Sequence, residues 1–122
     1  MVHELSICQA LLDEVARFAR KHGAARVLSV TVRIGPLAGV EAGLLQRAFT
    51  AARRGTVAND AQLVIERAPL ILECRRCGRQ TPGRLSHMRC AACDTADVRV
   101  ASGKDLIFQS LELETAEEAH VQ

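Results

Sequence analysis

Cys74-Arg75-Arg76-Cys77 and Cys90-Ala91-Ala92-Cys93 decide how this chain is read. The two C-x2-C pairs stand twelve residues apart, near the spacing at which a four-thiolate zinc site is recognised. Each pair can place two sulfurs on one tight turn, and the residues between them suffice for a hairpin that brings the turns together. Four thiolates at about 2.3 Å in a tetrahedron suit Zn2+, which brings no geometric demand of its own. Such a set leaves no open position for water or substrate, so the site is expected to be structural. Two disulfides would need an oxidising compartment, and Met1-Val2-His3-Glu4 does not resemble a signal peptide. A thioredoxin-like motif has one C-x-x-C near a βαβ pattern, not two facing pairs. Iron shares the tetrahedral sulfur geometry; zinc is the expected ion.

Between the pairs and around them, over residues 73–102, large apolar residues are scarce: Leu85, Met88, Val98 and Val100. These are too few for a core, so the metal is expected to supply folding energy to this hairpin domain. The same stretch carries six arginines (Arg75, Arg76, Arg79, Arg84, Arg89 and Arg99) against Glu73, Asp94 and Asp97. A zinc ion with four thiolates has a net charge of about −2, and the surplus arginines are read as neutralising it. The alternative is a zinc-ribbon nucleic-acid-binding protein. Base-stacking aromatics are missing from the stretch, however, and a formal net charge of +2 for the whole chain does not point to nucleic acid.

Working outward, Leu5, Cys8, Leu11, Leu12, Val15, Phe18 and Ala19 recur at helical spacing up to a stop at Gly23. Cys8 on that stripe reads as a small buried hydrophobe. Val27 to Ile34 alternates, with Leu28, Val30, Val32 and Ile34 on one face, and ends at Gly35-Pro36. A second helix is expected from Glu41 to Arg54, followed by strands over 62–66 and 105–114. Two helices cannot bury their stripes on each other and leave three half-apolar strands wet. The expected fold is therefore α+β: two helices packed on a small three-stranded sheet, with an inserted zinc-ribbon-like hairpin of four cysteines. Residues 1–72 and 103–122 form one domain of this reading and 73–102 the other. With no Trp, no Tyr and three Phe, the core must be aliphatic. No apolar run approaches the roughly twenty residues of a membrane span, and no triad, phosphate loop or paired-carboxylate site is visible. The chain reads as a cytoplasmic non-enzyme.

Of the four histidines, His22 and His120 read as surface residues, and His87 as a neighbour of, or substitute ligand at, the sulfur site. His3 stands two residues from the first amino group. A terminal amine, the backbone amides after it and an imidazole can set four nitrogens in one plane, the geometry that favours Ni(II) or Cu(II). Taken alone, a histidine so near the terminus is a weak signal.

His3-Glu4-Leu5-Ser6-Ile7, Arg33-Ile34-Gly35, Gly55-Thr56-Val57, the two C-x2-C pairs and Ser110-Leu111-Glu112-Leu113-Glu114 together resemble the HypA/HybF family. These are nickel metallochaperones of [NiFe]-hydrogenase maturation. The resemblance covers the chain except the last eight or so residues. It implies a nickel-binding α/β domain with a zinc-ribbon-like insert, structural Zn2+, Ni2+ as transferred cargo, and delivery to the hydrogenase large-subunit precursor alongside a HypB-type GTPase. The family's nickel histidine falls on His3 and its acidic neighbour on Glu4, with the amine and backbone amides of Met1 or Val2. Its zinc ligands fall on Cys74, Cys77, Cys90 and Cys93. Nucleic acid and membrane are not among the implied partners, and a weak homodimer is an open alternative. The family usually begins Met-His-Glu; here Val2 intervenes. Its small side chain predicts removal of Met1, which would make the histidine second again.

Overall fold

The structure, a computed structural model, describes residues 2–115, the side chain of Val2 excepted. The expected α+β architecture is present: two helices, a three-stranded sheet and a four-cysteine insert that is itself a small sheet. Helix α1 spans Val2–Lys21 and α2 Ala42–Ala52; the strands are β1 (Ala24–Ile34), β2 (Gln62–Arg67), β3 (Ile71–Cys74), β4 (Gln80–Pro82), β5 (Val98–Ser102) and β6 (Leu106–Thr115). One sheet has the order β2-β1-β6 and the other β4-β3-β5. The chain divides into two compact units, residues 1–32, 40–65 and 108–122 in one, 33–39 and 66–107 in the other.

In the first unit, Glu4 in the first turn of α1 and Arg20 and Lys21 in the last match the sign of the helix dipole at each end. The helix stops where Gly23 takes φ +61 and its N–H returns to the Arg20 carbonyl. Cys8, Leu11, Leu12, Val15 and Ala19 are buried, but the stripe is narrower than the spacing implies. Leu5 and Phe18 keep 38% and 39% of their surface. Phe18 instead meets Phe108 edge to face at 5.8 Å, a favourable arrangement of ring quadrupoles. Helix α2 is capped by Glu41, whose carboxylate accepts the Leu44 N–H at 2.6 Å, and it packs against α1. Leu45 and Phe49 are its buried residues, and Leu44 is exposed.

The alternation expected in β1 holds from Val30 onward and fails before it. Val27 is buried and Leu28 exposed, the reverse of the expectation. The Val27 N–H bonds to the Val57 carbonyl in the loop after α2, so the start of the strand follows that loop. Across from it, Glu114 is 7% exposed and pairs with Arg26 at 3.0 Å.

The second unit is more ordered than an unstructured hairpin. β3 is its central strand, antiparallel to both β4 and β5, with Leu72 fully buried and Leu70 nearly so. Two glycines permit this packing. A Cβ at Gly83 would meet the Leu72 side chain at 2.6 Å. A Cβ at Gly35 would overlap the Gly103 carbonyl, because the 35–37 turn lies on 103–105, with the Gly35 N–H on the Asp105 carbonyl and the Leu37 N–H on that of Gly103.

Candidate metal centre

Both cysteine pairs sit on the same backbone device. In the first, the Cys74 N–H bonds to the Arg79 carbonyl and the Gly78 N–H returns to the Cys74 carbonyl. In the second, the Cys90 N–H bonds to Thr95 and the Asp94 N–H returns to Cys90. The fifth residue of each turn has positive φ, +75 at Gly78 and +60 at Asp94. Glycine adopts that region freely, and aspartate is among the few other residues that tolerate it. Inside each turn the first sulfur accepts backbone N–H groups: Arg76 and Cys77 onto Cys74, each at 3.3 Å, and Ala92 onto Cys90 at 3.4 Å.

The turns face each other. Cys74 and Cys93 sulfurs are 3.5 Å apart, Cys77 and Cys90 3.7 Å, and all four lie within 4.8 Å of one another. A tetrahedron with metal–sulfur bonds of about 2.3 Å has edges of about 3.8 Å, so the donor set fits such an ion. The first cysteine of each pair is buried and the second exposed. Electrostatics follows the same division. The Cys77 and Arg76 N–H groups hold Cys74 down to about 6 against the effect of burial. Cys90 is lowered in the same way by the Cys93 and Ala92 N–H groups. The Thr95 N–H favours the Cys93 thiolate, yet the Cys74 sulfur, burial and the Cys90 sulfur outweigh it and push Cys93 up to about 11. Cys77 is raised too, its Arg79 N–H contact outweighed by burial and by the Cys74 and Cys90 sulfurs. Before a cation arrives, the thiolate form is thus favoured at Cys74 and Cys90 and the thiol form at Cys77 and Cys93.

The arginines around the sulfurs are partly committed. Arg99 pairs with Glu73, Arg75 lies 3.9 Å from Asp97, and Arg89 donates to the Asp94 carbonyl. His87 is 3.6 Å from Asp94 and, among the described residues, stands outside the sulfur cluster. The structure thus brings the four predicted cysteines together and leaves His87 beside them.

The predicted nickel residues lie in the other unit. His3 is exposed in the first turn of α1. Glu4, its neighbour, is 7% exposed and accepts the Glu41 N–H at 3.4 Å. Met1 and His120 lie outside the described residues, as does the side chain of Val2. Glu41 was legible only as a helix start; nothing in its spacing announces that its amide faces Glu4. Cys8 is fully buried, its thiol directed at the Leu45 carbonyl at 3.5 Å. Burial, and then the Glu4 carboxylate, push that thiol up to about 11. His22 lines an open groove with Glu14, Phe18 and Phe108 and belongs to no cluster of three or more metal-ligating groups among the described residues.

A two-helix α+β unit and a four-cysteine metal insert define a small metal-handling protein. The family described as hydrogenase/urease nickel incorporation, metallochaperone, hypA matches residues 2–113, and the chain belongs to it. The hydrogenase maturation factor HypA of Nitrosospira multiformis is 44% identical over 114 residues, 93% of this chain and 99% of that one. Its counterpart in Aquifex aeolicus is 40% identical over 113 residues, 93% and 98% of the two chains. The solution structure of the Ni metallochaperone HypA from Helicobacter pylori superposes with a TM-score of 0.69 at 28% identity, covering 92% of this chain and 97% of that one. Membership makes this chain a metallochaperone of hydrogenase maturation and not an enzyme, working with other components of that process. No helix among the described residues is long and apolar enough to cross a membrane.

Proposed function

We propose that the chain captures Ni(II) at its N-terminus and passes it to the hydrogenase large-subunit precursor, while a structural Zn2+ in the four-cysteine site maintains the second unit. The observation that carries the reading is the contrast between the two donor sets. Four sulfurs within 4.8 Å of one another form a closed cage on two rigid turns, whereas His3 stands exposed on the first turn of a helix. The first N–H groups of a helix have no intrahelical partner, so the amides beside His3 are free of the helix ladder. Helical backbone aims them parallel to the axis and not at a common point. A planar nitrogen set therefore requires the first turn to unwind, at the cost of only the few bonds that close it.

With Met1 kept, its amine, the amides of residues 2 and 3 and the His3 imidazole supply four nitrogens; with Met1 lost, the amine of residue 2, the amides of residues 3 and 4 and the imidazole do. Amide ligands must lose protons, so the affinity falls with pH, and an open site allows stepwise exchange to an acceptor. The HypB-type GTPase belongs to the same reading, with residues 73–102 as the zinc domain and the remainder as the nickel domain. A cytoplasmic setting goes with it, because the four sulfurs serve as ligands only while reduced. Nickel titration of untagged protein tests it: His3→Ala and an N-terminal fusion should each lose nickel at least a hundredfold more readily. Full nickel retention by the fusion, which lacks the free amine, refutes the ligand set.

A further inference from the structure

Glu4 is the candidate acidic nickel ligand beside His3, yet its side chain is already engaged. It is more than nine-tenths buried and accepts the backbone N–H of Glu41, the residue that caps α2. One helical turn later, the Cys8 thiol points at the Leu45 carbonyl, and Leu45 in turn donates to the Glu41 carbonyl. Residues 4 and 8 of one helix thus bond to residues 41 and 45 of the other, a polar seam along the first two turns of both.

We infer that the Glu4 side chain is a positioning group, a tether that couples nickel capture on the first turn of α1 to the N-terminus of α2, and that its carboxylate is not a nickel ligand. The inference rests on the N-terminal reading above. Three observations support it. For its carboxylate to reach a metal at the terminus, Glu4 would have to leave its buried position and give up the Glu41 N–H. Four nitrogens already complete a planar set without a carboxylate oxygen. Among the described side chains of α1, Glu4 is the first held by the body of the unit, so unwinding of the first turn acts on this contact. Loading must then strain or shift the Glu4–Glu41 contact, and the α2 cap, with Glu41 bonded to Leu44, becomes a place where a partner can sense whether nickel is bound.

The test uses untagged, 15N-labelled protein titrated with Ni(II), read by the visible band of low-spin planar nickel, which is diamagnetic, and by the Glu41 amide resonance. In the wild type, nickel is expected to move the Glu41 amide in step with the band. Glu4→Gln keeps an acceptor oxygen and should keep that response. Glu4→Ala should weaken nickel retention several-fold, leave the band at the same wavelength, speed Glu41 amide exchange at least tenfold and reduce the nickel-induced shift at least fivefold. A Glu41 amide unmoved at saturating nickel overturns the tether, and needs no variant. A displaced band in Glu4→Gln also overturns it, by making the Glu4 carboxylate a ligand. If the wild type retains no nickel at all, the N-terminal reading fails first, and intact mass distinguishes that case.

Discussion

The five thiols should separate by reactivity, and Cys8 supplies the magnitude. Its sulfur is fully buried and its thiol is pushed up to about 11. At pH 7 such a group is ionised to about one part in 10^4, against about three parts in 100 for an ordinary cysteine near 8.5. The thiolate is the nucleophile, so ionisation alone slows alkylation roughly 300-fold, and burial slows it further. The assay is iodoacetamide labelling followed by peptide mass spectrometry, with and without a zinc chelator. In metal-loaded protein all five cysteines should resist. After chelation Cys77 and Cys93, the exposed pair, should be accessible, with Cys74 and Cys90 labelled as the turns open and Cys8 last. The rate at Cys8 should climb about tenfold per pH unit up to 11. The raised value also fixes a sign for stability: the native state holds this proton more tightly, so the contribution is fully present below the ordinary thiol range and is lost as pH rises toward 11. Labelling of Cys8 in the folded protein at the rate of a small-molecule thiol at pH 7 refutes the buried, neutral assignment.

Zinc uptake by metal-free protein near pH 7 should release fewer than four protons, because Cys74, held down to about 6, is already mostly ionised, while Cys93, pushed up to about 11, must give up its proton; calorimetry in buffers of different ionisation heat counts them, and a value of four contradicts the lowered Cys74. Leu72→Ala should destabilise the second unit by about 2–5 kcal/mol, seen as zinc loss at a lower chelator concentration. Phe49→Ala should cost the first unit about 3–5 kcal/mol, read by denaturant unfolding, with zinc content unchanged. Gly35→Ala should prevent the 35–37 turn from closing on 103–105, so amide exchange at Gly35 and Leu37 should accelerate sharply; unchanged protection there contradicts the close approach.

The elements legible in the sequence are those with strong local period or fixed chemistry. The α1 stripe from Cys8 to Ala19, the β1 alternation from Val30 and the paired cysteines each follow from spacing alone. What escaped was set by tertiary contact. Val27 replaced Leu28 in the core because its N–H bonds to the Val57 carbonyl. Phe18 stayed half exposed because it packs edge to face on Phe108. The second sheet was read as a bare hairpin, since β4 is three residues long and its central apolar residues, Leu70 and Leu72, precede the expected insert. Nothing in the spacing of Glu4 and Glu41, 37 positions apart, marks them as partners.

The most direct test follows both metals through time in one sample. Untagged protein loaded with nickel and zinc is mixed with a mild chelator and sampled by native mass spectrometry. Two masses of bound metal are expected at the start, with nickel gone within minutes and zinc still present after hours; a protein that begins with one metal, or surrenders both at the same rate, contradicts the division between a sulfur cage and an open nitrogen site.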